Sequence, residues 1–132
     1  MKQLSIRTNS RFEMIDITRA VADAVKEENV VSGICYVFVP HTTAAVTINE
    51  NADPDVPRDI IMELDKVIPF HDNYRHMEGN SAAHIKTSLI GSSEAVFIEN
   101  GNLVLGTWQS LFFCEFDGPR TRKYMVKVIA TV

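Results

Sequence analysis

Residues 108–132 read WQSLFFCEFDGPRTRKYMVKVIATV, and this stretch decides the fold class. Its first part, 108–116, is a long apolar run, and 117–120 (Asp-Gly-Pro-Arg) has the composition of a turn. Its last part, 123–132, alternates residue by residue between an apolar face and a mixed face, as a half-buried strand does. The stretch therefore predicts two long strands separated by a turn.

The residues before this stretch predict shorter strands and three helices. Apolar residues at helical spacing predict helices over 18–28, 57–67 and 80–89, with Thr18 as the N-cap of the first helix and Gly91 at the end of the third. An Asn-Gly dipeptide predicts a hairpin late in the chain. Because the strands are grouped rather than alternating with helices, we expect an α+β fold with a mainly antiparallel sheet. The predicted strands cover 2–8, 12–17, 34–39, 44–48, 95–98, 103–105, 108–116 and 123–132.

Length and composition predict a single globular domain over residues 1–132. Hydrophobic residues make up 45% of the chain and charged residues 23%, which excludes disordered, collagen-like and disulfide-scaffold classes. The longest apolar runs span about six residues where a membrane helix needs about twenty, so we expect no membrane partner. The net charge of −4 gives no general attraction to nucleic acid, so we expect none as a partner.

The cysteines and the N-terminus both favour a cytoplasmic protein. Cys35 and Cys114 each lie inside an apolar run, so we interpret them as reduced core residues rather than a disulfide or a metal pair. Segment 1–7 becomes polar at once and lacks the apolar centre of a secretory signal.

Three of the four histidines lie within fourteen residues of one another. Neutral imidazole is the commonest transition-metal ligand, and converging histidines with a carboxylate would form a metal site with open positions. Glu50 and Glu78 are candidate carboxylates or general bases. The spacing matches no compact ligand motif, so each histidine alone also fits a surface or hydrogen-bonding role. The histidines are His41 after a strand, His71 and His76 in a polar loop, and His84 early in a helix.

Two polar segments suggest ligand contacts, and each also has a structural explanation. Glu50 and Asn51 follow a strand and would face a pocket there, although turn chemistry alone explains such residues. Arg120 and Arg122 belong to a basic segment that suits a small phosphate or diphosphate, because arginine binds phosphate with two hydrogen bonds. A solvated strand edge explains the same basic segment equally well.

Two aromatic features have more than one interpretation. Trp108 could stack on a ligand, but packing in the core is the favoured interpretation of a lone tryptophan at the start of a strand. Phe112, Phe113 and Phe116 could form an apolar face that needs a partner subunit to cover it.

Three stretches together resemble the YjbQ-like family, whose members are often labelled secondary thiamine-phosphate synthases. The first stretch is 41–54, which reads HTTAAVTINENADP. The second comprises 73–76 (NYRH), Glu78-Gly79 and 84–91 (HIKTSLIG). The third combines 106–109 (GTWQ) with Glu115, Arg120 and Arg122. The similarity covers nearly the whole chain, and the combination of motifs is specific.

The resemblance implies a small α+β fold with a β-sandwich core, assembled as a homotrimer. It also implies a weak thiamine-phosphate synthase activity, which joins a pyrimidine diphosphate to a thiazole phosphate and releases diphosphate. The partner would therefore be a small phosphorylated molecule. The family pattern matches His41, Glu50, His76 and His84 here, and it leaves out His71.

We therefore predict one pocket in which Glu50 and His41 are catalytic. In the same pocket His41, His76 and His84 would hold a divalent metal. Zinc is favoured over magnesium, because the chain lacks an Asp-rich motif that would hold Mg²⁺ against a diphosphate. The residues predicted to bind substrate are Arg120, Arg122, Lys86, Asn51 and Trp108.

Two alternatives to the synthase hypothesis stay open. The first is a metal-dependent hydrolase at the same site, with Glu50 or Glu78 as the base. The second is a non-catalytic protein that binds a small anion or a metal. In a trimer the pocket could also lie between subunits, and its residues would then not converge within one chain.

Overall fold

The computed structural model describes residues 1–132 as eight strands and three helices. Every predicted element is present, and each end falls within two residues of the predicted end. In chain order the elements are β1 (Lys2–Arg7), β2 (Glu13–Asp16), α1 (Thr18–Glu27), β3 (Gly33–Phe38), β4 (Ala44–Glu50), α2 (Asp55–Val67), α3 (Ser81–Ile90), β5 (Ser93–Glu99), β6 (Asn102–Leu103), β7 (Gln109–Glu115) and β8 (Thr121–Ala130).

The strands form two antiparallel sheets, which confirms the predicted α+β class. One sheet has the order β1-β8-β3-β5-β6, and the other has the order β2-β7-β4. Strands β7 and β8 follow each other in sequence but lie in different sheets, so the turn between them carries the chain from one sheet to the other. Gly118 suits this turn because a Cβ there would lie 2.8 Å from both Glu115 Cγ and Thr8 Oγ1.

Two apolar cores hold the layers together. The larger core lies between the two sheets and α1, and the smaller core lies between the three-stranded sheet, α2 and α3. Phe112, Phe113 and Phe116 are at most 2% exposed. The prediction that these three rings form a face needing a partner subunit is therefore wrong, because layers of the same chain cover them.

Two local predictions about segment ends are also wrong. Thr18 does not cap α1, because its Oγ1 instead accepts a hydrogen bond from the Leu111 N–H at 2.8 Å. Asn49 and Glu50 were predicted as loop, but they continue β4 alongside β7. In both cases pairing with β7, a contact distant in sequence, overrides the local preference of polar residues for caps and turns.

The predicted turns are confirmed by the backbone angles. Gly91 ends α3 with a φ of 105°, a conformation that favours glycine because it has no Cβ. Asn100 and Gly101 have φ values of 53° and 76°, as the two-residue turn of a tight hairpin requires.

Cys35 and Cys114 are free and buried, which confirms them as core residues. Burial raises the pKa of the Cys35 thiol to about 11 and that of the Cys114 thiol to about 12. Both thiols are therefore protonated at neutral pH and are poor nucleophiles.

A buried ion pair joins the two sheets at one end of the molecule. The Arg122 guanidinium on β8 donates two hydrogen bonds to the fully buried Glu115 carboxylate at the end of β7. Thr8 Oγ1 donates to the same carboxylate at 2.8 Å, and Arg122 Nη2 donates to Thr43 Oγ1 at 2.8 Å. Burial opposes ionisation of Glu115, but the hydrogen bonds from Arg122 and Thr8 outweigh it and hold the pKa of this carboxyl below its usual value.

We predict that Glu115→Ala lowers the free energy of unfolding at pH 7 by about 3–5 kcal/mol, because it leaves the Arg122 charge buried and unpaired. Urea denaturation followed by circular dichroism measures the change. The double variant Glu115→Leu/Arg122→Met removes both charges, so its free energy of unfolding should fall clearly less than that of Glu115→Ala. An equal loss of stability in both variants would mean that the unpaired charge is not the cause.

The stabilisation from Glu115 also depends on pH. Because the pKa of Glu115 is lowered in the folded protein, this stabilisation is present at neutral pH and disappears as the pH falls through that pKa.

Candidate functional site

The main polar concavity lies between the β3–β4 loop and the C-terminal part of α3. It has a volume of about 480 Å³ and is open to solvent. No apolar side chain and no lysine, arginine, aspartate or glutamate lines it. We call this concavity the histidine pocket, and its lining residues are His41, Thr42, His84, Thr87, Ser88, Gly91 and Ser92.

One face of α3 supplies much of the lining. His84, Thr87, Ser88 and Gly91 are separated by three or four residues across each helical turn, so they share one side of the helix. Thr87 is 5% exposed, and its Oγ1 has no hydrogen-bond partner. This hydroxyl is therefore unpaired and shielded from solvent beside the pocket.

His41 is held in one orientation by the neighbouring strand. Its Nε2 accepts a hydrogen bond from the Lys123 backbone N–H at 3.1 Å. Burial, and then the positive charge of Arg122, lower the pKa of His41 below its usual value. A neutral imidazole that accepts at Nε2 carries its proton on Nδ1. His41 therefore offers a hydrogen-bond donor, and its Nε2 lone pair is not free to bind a metal.

The other histidines divide into a pair and a separate residue. The ring centroids of His76 and His84 lie 5.4 Å apart in an edge-to-face arrangement. Glu78 Oε2 lies 3.8 Å from His76 Nε2. His71 packs edge-on against Phe70 instead. No three His, Cys, Asp or Glu side chains in the chain lie close enough to hold a metal, so the three-histidine centre predicted from the sequence is not preformed within one chain.

The basic residues predicted to bind substrate already have partners within the protein. Arg122 is buried against Glu115, as described above. Arg120 donates to the Asp117 carboxylate at 3.0 Å and to the Asp117 carbonyl at 2.9 Å. Lys86 is 1% exposed and points away from the pocket, towards Asp65 at 3.3 Å and the face of the Phe12 ring at 4.0 Å.

The remaining predicted site residues lie at the opposite end of β4. Glu50 ends this strand, and six residue steps from Ala44 place it about 20 Å from the His41 end. Asn51 donates to Asp16 Oδ2 at 2.6 Å and lines a separate groove of about 370 Å³. Trp108 is 63% exposed, so the favoured interpretation of it as a core residue is wrong. Within one chain, these residues do not share a pocket with His41.

A sequence profile of the family described as "UPF0047 protein YjbQ-like" matches residues 2–131. This chain belongs to the YjbQ-like UPF0047 family. It is 54% identical over 130 residues to the UPF0047 protein YugU of Bacillus subtilis, with 98% of both chains covered. It is also 54% identical over 124 residues to a UPF0047 protein of Methanocaldococcus jannaschii, with 94% of this chain and 90% of that protein covered.

Solved structures agree with this assignment. A crystal structure of a yjbq/upf0047 family protein from Clostridium acetobutylicum is 57% identical and superposes with a TM-score of 0.96, covering 98% of this chain and all of that chain. A hypothetical protein from Aeropyrum pernix is 32% identical and superposes with a TM-score of 0.94, covering 98% of each chain. The resemblance seen in the motifs is confirmed for both family and fold.

Sequence reasoning did not predict five of the seven residues that line the pocket of this YjbQ-like chain. Thr42, Thr87 and Ser88 lie within the family-like motifs, and the spacing of Thr87 and Ser88 from His84 places them on its helix face. Gly91 was predicted only as the end of the helix, and Ser92 had no signal. Lys123 was seen as part of a basic segment, and it forms no ion pair. Separately, none of the three helices of this YjbQ-like chain is long and apolar enough to cross a membrane.

We predict that His41 in this YjbQ-like chain is neutral at pH 7, protonated on Nδ1, and has a pKa below the usual value of about 6.5. The Lys123 N–H at Nε2 and the burial of the ring are the physical reasons. Two-bond ¹⁵N–¹H correlation spectra recorded across a pH titration measure the tautomer and the pKa together. The same protein unfolded in urea serves as the control, and there His41 should lose its preference for the Nδ1–H tautomer. A proton on Nε2, or a raised pKa, would contradict the proposed orientation.

Proposed function

We propose that this YjbQ-like chain binds a small phosphorylated molecule in the histidine pocket and has a secondary thiamine-phosphate synthase-type activity there. The observation that carries the proposal is that two imidazoles and several hydroxyl side chains line one polar cavity, namely those of His41, His84, Thr42, Ser88 and Ser92. Imidazole N–H and hydroxyl groups donate hydrogen bonds to phosphoryl oxygens. Lys123 is not among the lining residues, but its charge reaches His41 and contributes to the lowered pKa of that imidazole.

The proposed reaction needs a departing diphosphate to be stabilised. Donors and cations placed where negative charge develops lower the barrier for such a step. His41 would supply the Nδ1–H donor, and the hydroxyls of Ser88 and Ser92 would supply further donors. No carboxylate lines the pocket, so a general base there would have to be an imidazole. A pocket with hydrogen-bond donors and no carboxylate supports a slow, secondary activity.

We also propose that a divalent metal binds beside the pocket, with zinc favoured over magnesium. His76 and His84 would hold it, because their rings lie 5.4 Å apart. No third His, Cys, Asp or Glu side chain of the chain lies close enough, so water would complete the coordination. Imidazole ligands suit zinc. The metal would supply positive charge for the departing anion. His41 is not included, because its Nε2 already accepts a hydrogen bond.

A non-catalytic binding protein for the same molecule is the second candidate. The observation that favours it is the separation of Glu50 from His41 by about 20 Å along β4. Without that carboxylate, the pocket of one chain has donors for binding and only its imidazoles as bases. The metal-dependent hydrolase alternative would rest on Glu78 alone as the base near His76.

We predict that the chain restores growth of a thiamine-requiring strain and that His84→Ala abolishes this rescue. His84 lines the pocket and is a proposed metal ligand, so the variant removes both a pocket contact and a metal contact. Growth without thiamine measures the activity, and elemental analysis of the purified protein measures the zinc that the variant should lose. Circular dichroism should show an unchanged fold.

His71→Ala is the matched control for that experiment, because His71 packs against Phe70 outside the pocket. It should keep both rescue and metal. Full rescue by His84→Ala would exclude the proposed site. If the wild-type chain binds a phosphorylated ligand but gives no rescue, the second candidate function is favoured.

We further propose that the chain assembles as a homotrimer through the outer face of the five-stranded sheet. Three apolar residues form one row across this face, because Ile34 pairs with both Phe97 and Ile129. Phe97, Ile129, Phe38 and Tyr36 are 66%, 48%, 47% and 41% exposed. An assembly would also allow Glu50 of one chain to approach the histidine pocket of another.

The size of this apolar face suits a second copy of the chain. The three exposed aromatic side chains alone present roughly 230–390 Å² of surface, if a fully buried aromatic residue covers about 150–250 Å². A stable interface needs about 800 Å² from each partner, and the aliphatic neighbours on the same face provide part of the rest.

We predict that light scattering after size-exclusion chromatography gives three times the chain mass for the wild type, and that Phe97→Glu shifts it towards the monomer. A carboxylate in the middle of an apolar contact would be buried without a partner. Met77→Glu is the control, because Met77 is 99% exposed outside this face. A wild-type monomer, or a trimer that survives Phe97→Glu, would overturn the proposed interface.

A further inference from the structure

The groove that Asn51 lines lies between β2 and the first half of α2, and has a volume of about 370 Å³. We call it the β2–α2 groove. Its volume is at the lower end of the range for ligand pockets, which suits one small molecule. The groove lies on the side of the three-stranded sheet that α2 and α3 cover. It is therefore separate from the outer face of the five-stranded sheet, through which we propose that the chain assembles.

The groove has apolar walls that a ligand can reach. Four of its apolar side chains are partly exposed, namely those of Phe12, Met14, Pro57 and Ile61. Phe112 also lines it and is 2% exposed. No residue of α2 is buried, so the side of this helix that borders the groove stays open. Covering these side chains with the apolar body of a ligand is favourable.

The polar groups of the groove are mainly hydrogen-bond acceptors. Asp16 is exposed and Glu13 is partly exposed, and neither carboxylate forms an ion pair. Glu13 Oε2 accepts two backbone N–H groups, which leaves Oε1 without a partner. Asp16 accepts one hydrogen bond at each carboxylate oxygen, so each oxygen keeps a second lone pair. The groove therefore suits a ligand group that donates hydrogen bonds.

The charges around the groove are mainly negative. Arg58 is the only basic residue that lines it, and its side chain is 80% exposed and lies 3.9 Å from Asp55. Asp55, Asp59 and Glu63 follow one another at four-residue spacing and form an acidic row along α2. The start of α2 offers no free site for an anion, because Asp53 Oδ1 already accepts the Asp55 N–H at 2.9 Å. The surrounding field therefore favours a cation.

Phe12 already packs against one cation on the side away from solvent. Lys86 Nζ lies 4.0 Å from the centroid of the Phe12 ring. Lys86 is 1% exposed, does not line the groove and pairs with Asp65 at 3.3 Å. Because its charge is balanced by Asp65, Lys86 does not cancel the negative field of the groove.

We propose that the β2–α2 groove is a second binding site, which takes a small organic cation with an apolar body. The ammonium, amidinium or guanidinium group of the ligand donates hydrogen bonds to the Asp16 carboxylate, and Glu13 adds negative charge. The body of the ligand packs on Phe12, Met14 and Ile61. This site is separate from the histidine pocket, so the inference goes beyond the proposed function and does not depend on it.

The first test compares benzamidinium with benzamide, which have the same ring and nearly the same shape but differ in charge. Chemical-shift changes in ¹⁵N–¹H spectra of the wild-type chain measure both affinity and location. Benzamidinium should bind with a Kd on the order of 1 mM, as expected for a ligand of this size, and should shift the amide signals of Met14 and Ile61. Benzamide should bind at least about fivefold more weakly, because it lacks the charge-assisted hydrogen bonds to Asp16.

The second test changes single charges around the groove. Asp16→Asn keeps the shape and an acceptor oxygen but removes the charge, so it should weaken benzamidinium binding by about fivefold and leave benzamide binding unchanged. Arg58→Gln removes the competing cation and should tighten benzamidinium binding by about twofold. Glu28→Gln is the matched control, because Glu28 is exposed outside the groove and forms no ion pair. It makes the same change in net charge as Asp16→Asn and should leave the affinity unchanged.

Several outcomes would overturn the inference. They are equal affinities for benzamidinium and benzamide, equal effects of Asp16→Asn and Glu28→Gln, shifts confined to the histidine pocket, and no saturation by about 20 mM benzamidinium. A lower mass of Asp16→Asn in light scattering would show that the groove contacts a second copy of the chain, and would also overturn it. If Asp16→Asn fails to fold by circular dichroism, the benzamide comparison and Arg58→Gln still decide. Failure to rescue a thiamine-requiring strain leaves this inference unaffected.

Discussion

The buried ion pair between Arg122 and Glu115 is the interaction on which the rest of the structure depends. It lies where β7 leaves one sheet and β8 joins the other, and Thr8 and Thr43 complete its hydrogen bonds. A buried charge pair of this kind stabilises a fold only when every partner is in place. The four residues come from distant parts of the sequence, so the network forms only when both sheets have their native arrangement.

The same ion pair also shapes the histidine pocket. Because Arg122 is anchored, the next residue, Lys123, presents its backbone N–H to His41 Nε2 at a defined position. That contact sets the tautomer of His41, and the charge of Arg122 contributes to its lowered pKa. Arg122 thus acts on the site through His41 and is not free to bind substrate. A folding interaction and the chemistry of the pocket are therefore connected through one strand.

Strand β4 separates His41 from Glu50, although both residues belong to one continuous sequence motif, 41–54. His41 lies just before its start and Glu50 at its end, so the strand holds them about 20 Å apart. Trp108 and Asn51 lie at the Glu50 end, where the Asn51 N–H donates to the Trp108 carbonyl at 3.0 Å. A motif that is continuous in sequence becomes two separate surfaces once it forms a strand. An assembly of several copies is the arrangement in which the two surfaces could meet.

The order of strands and helices was predictable from sequence, because period-2 and period-3.6 patterns and the Asn100-Gly101 turn are local properties. His84 and Thr87 also share a helix face by spacing alone. Tertiary structure decided which groups remain free to act. It paired Arg120, Arg122 and Lys86 within the protein, and it covered Phe113 while exposing Trp108. These outcomes depend on contacts between residues far apart in sequence, which no local pattern contains.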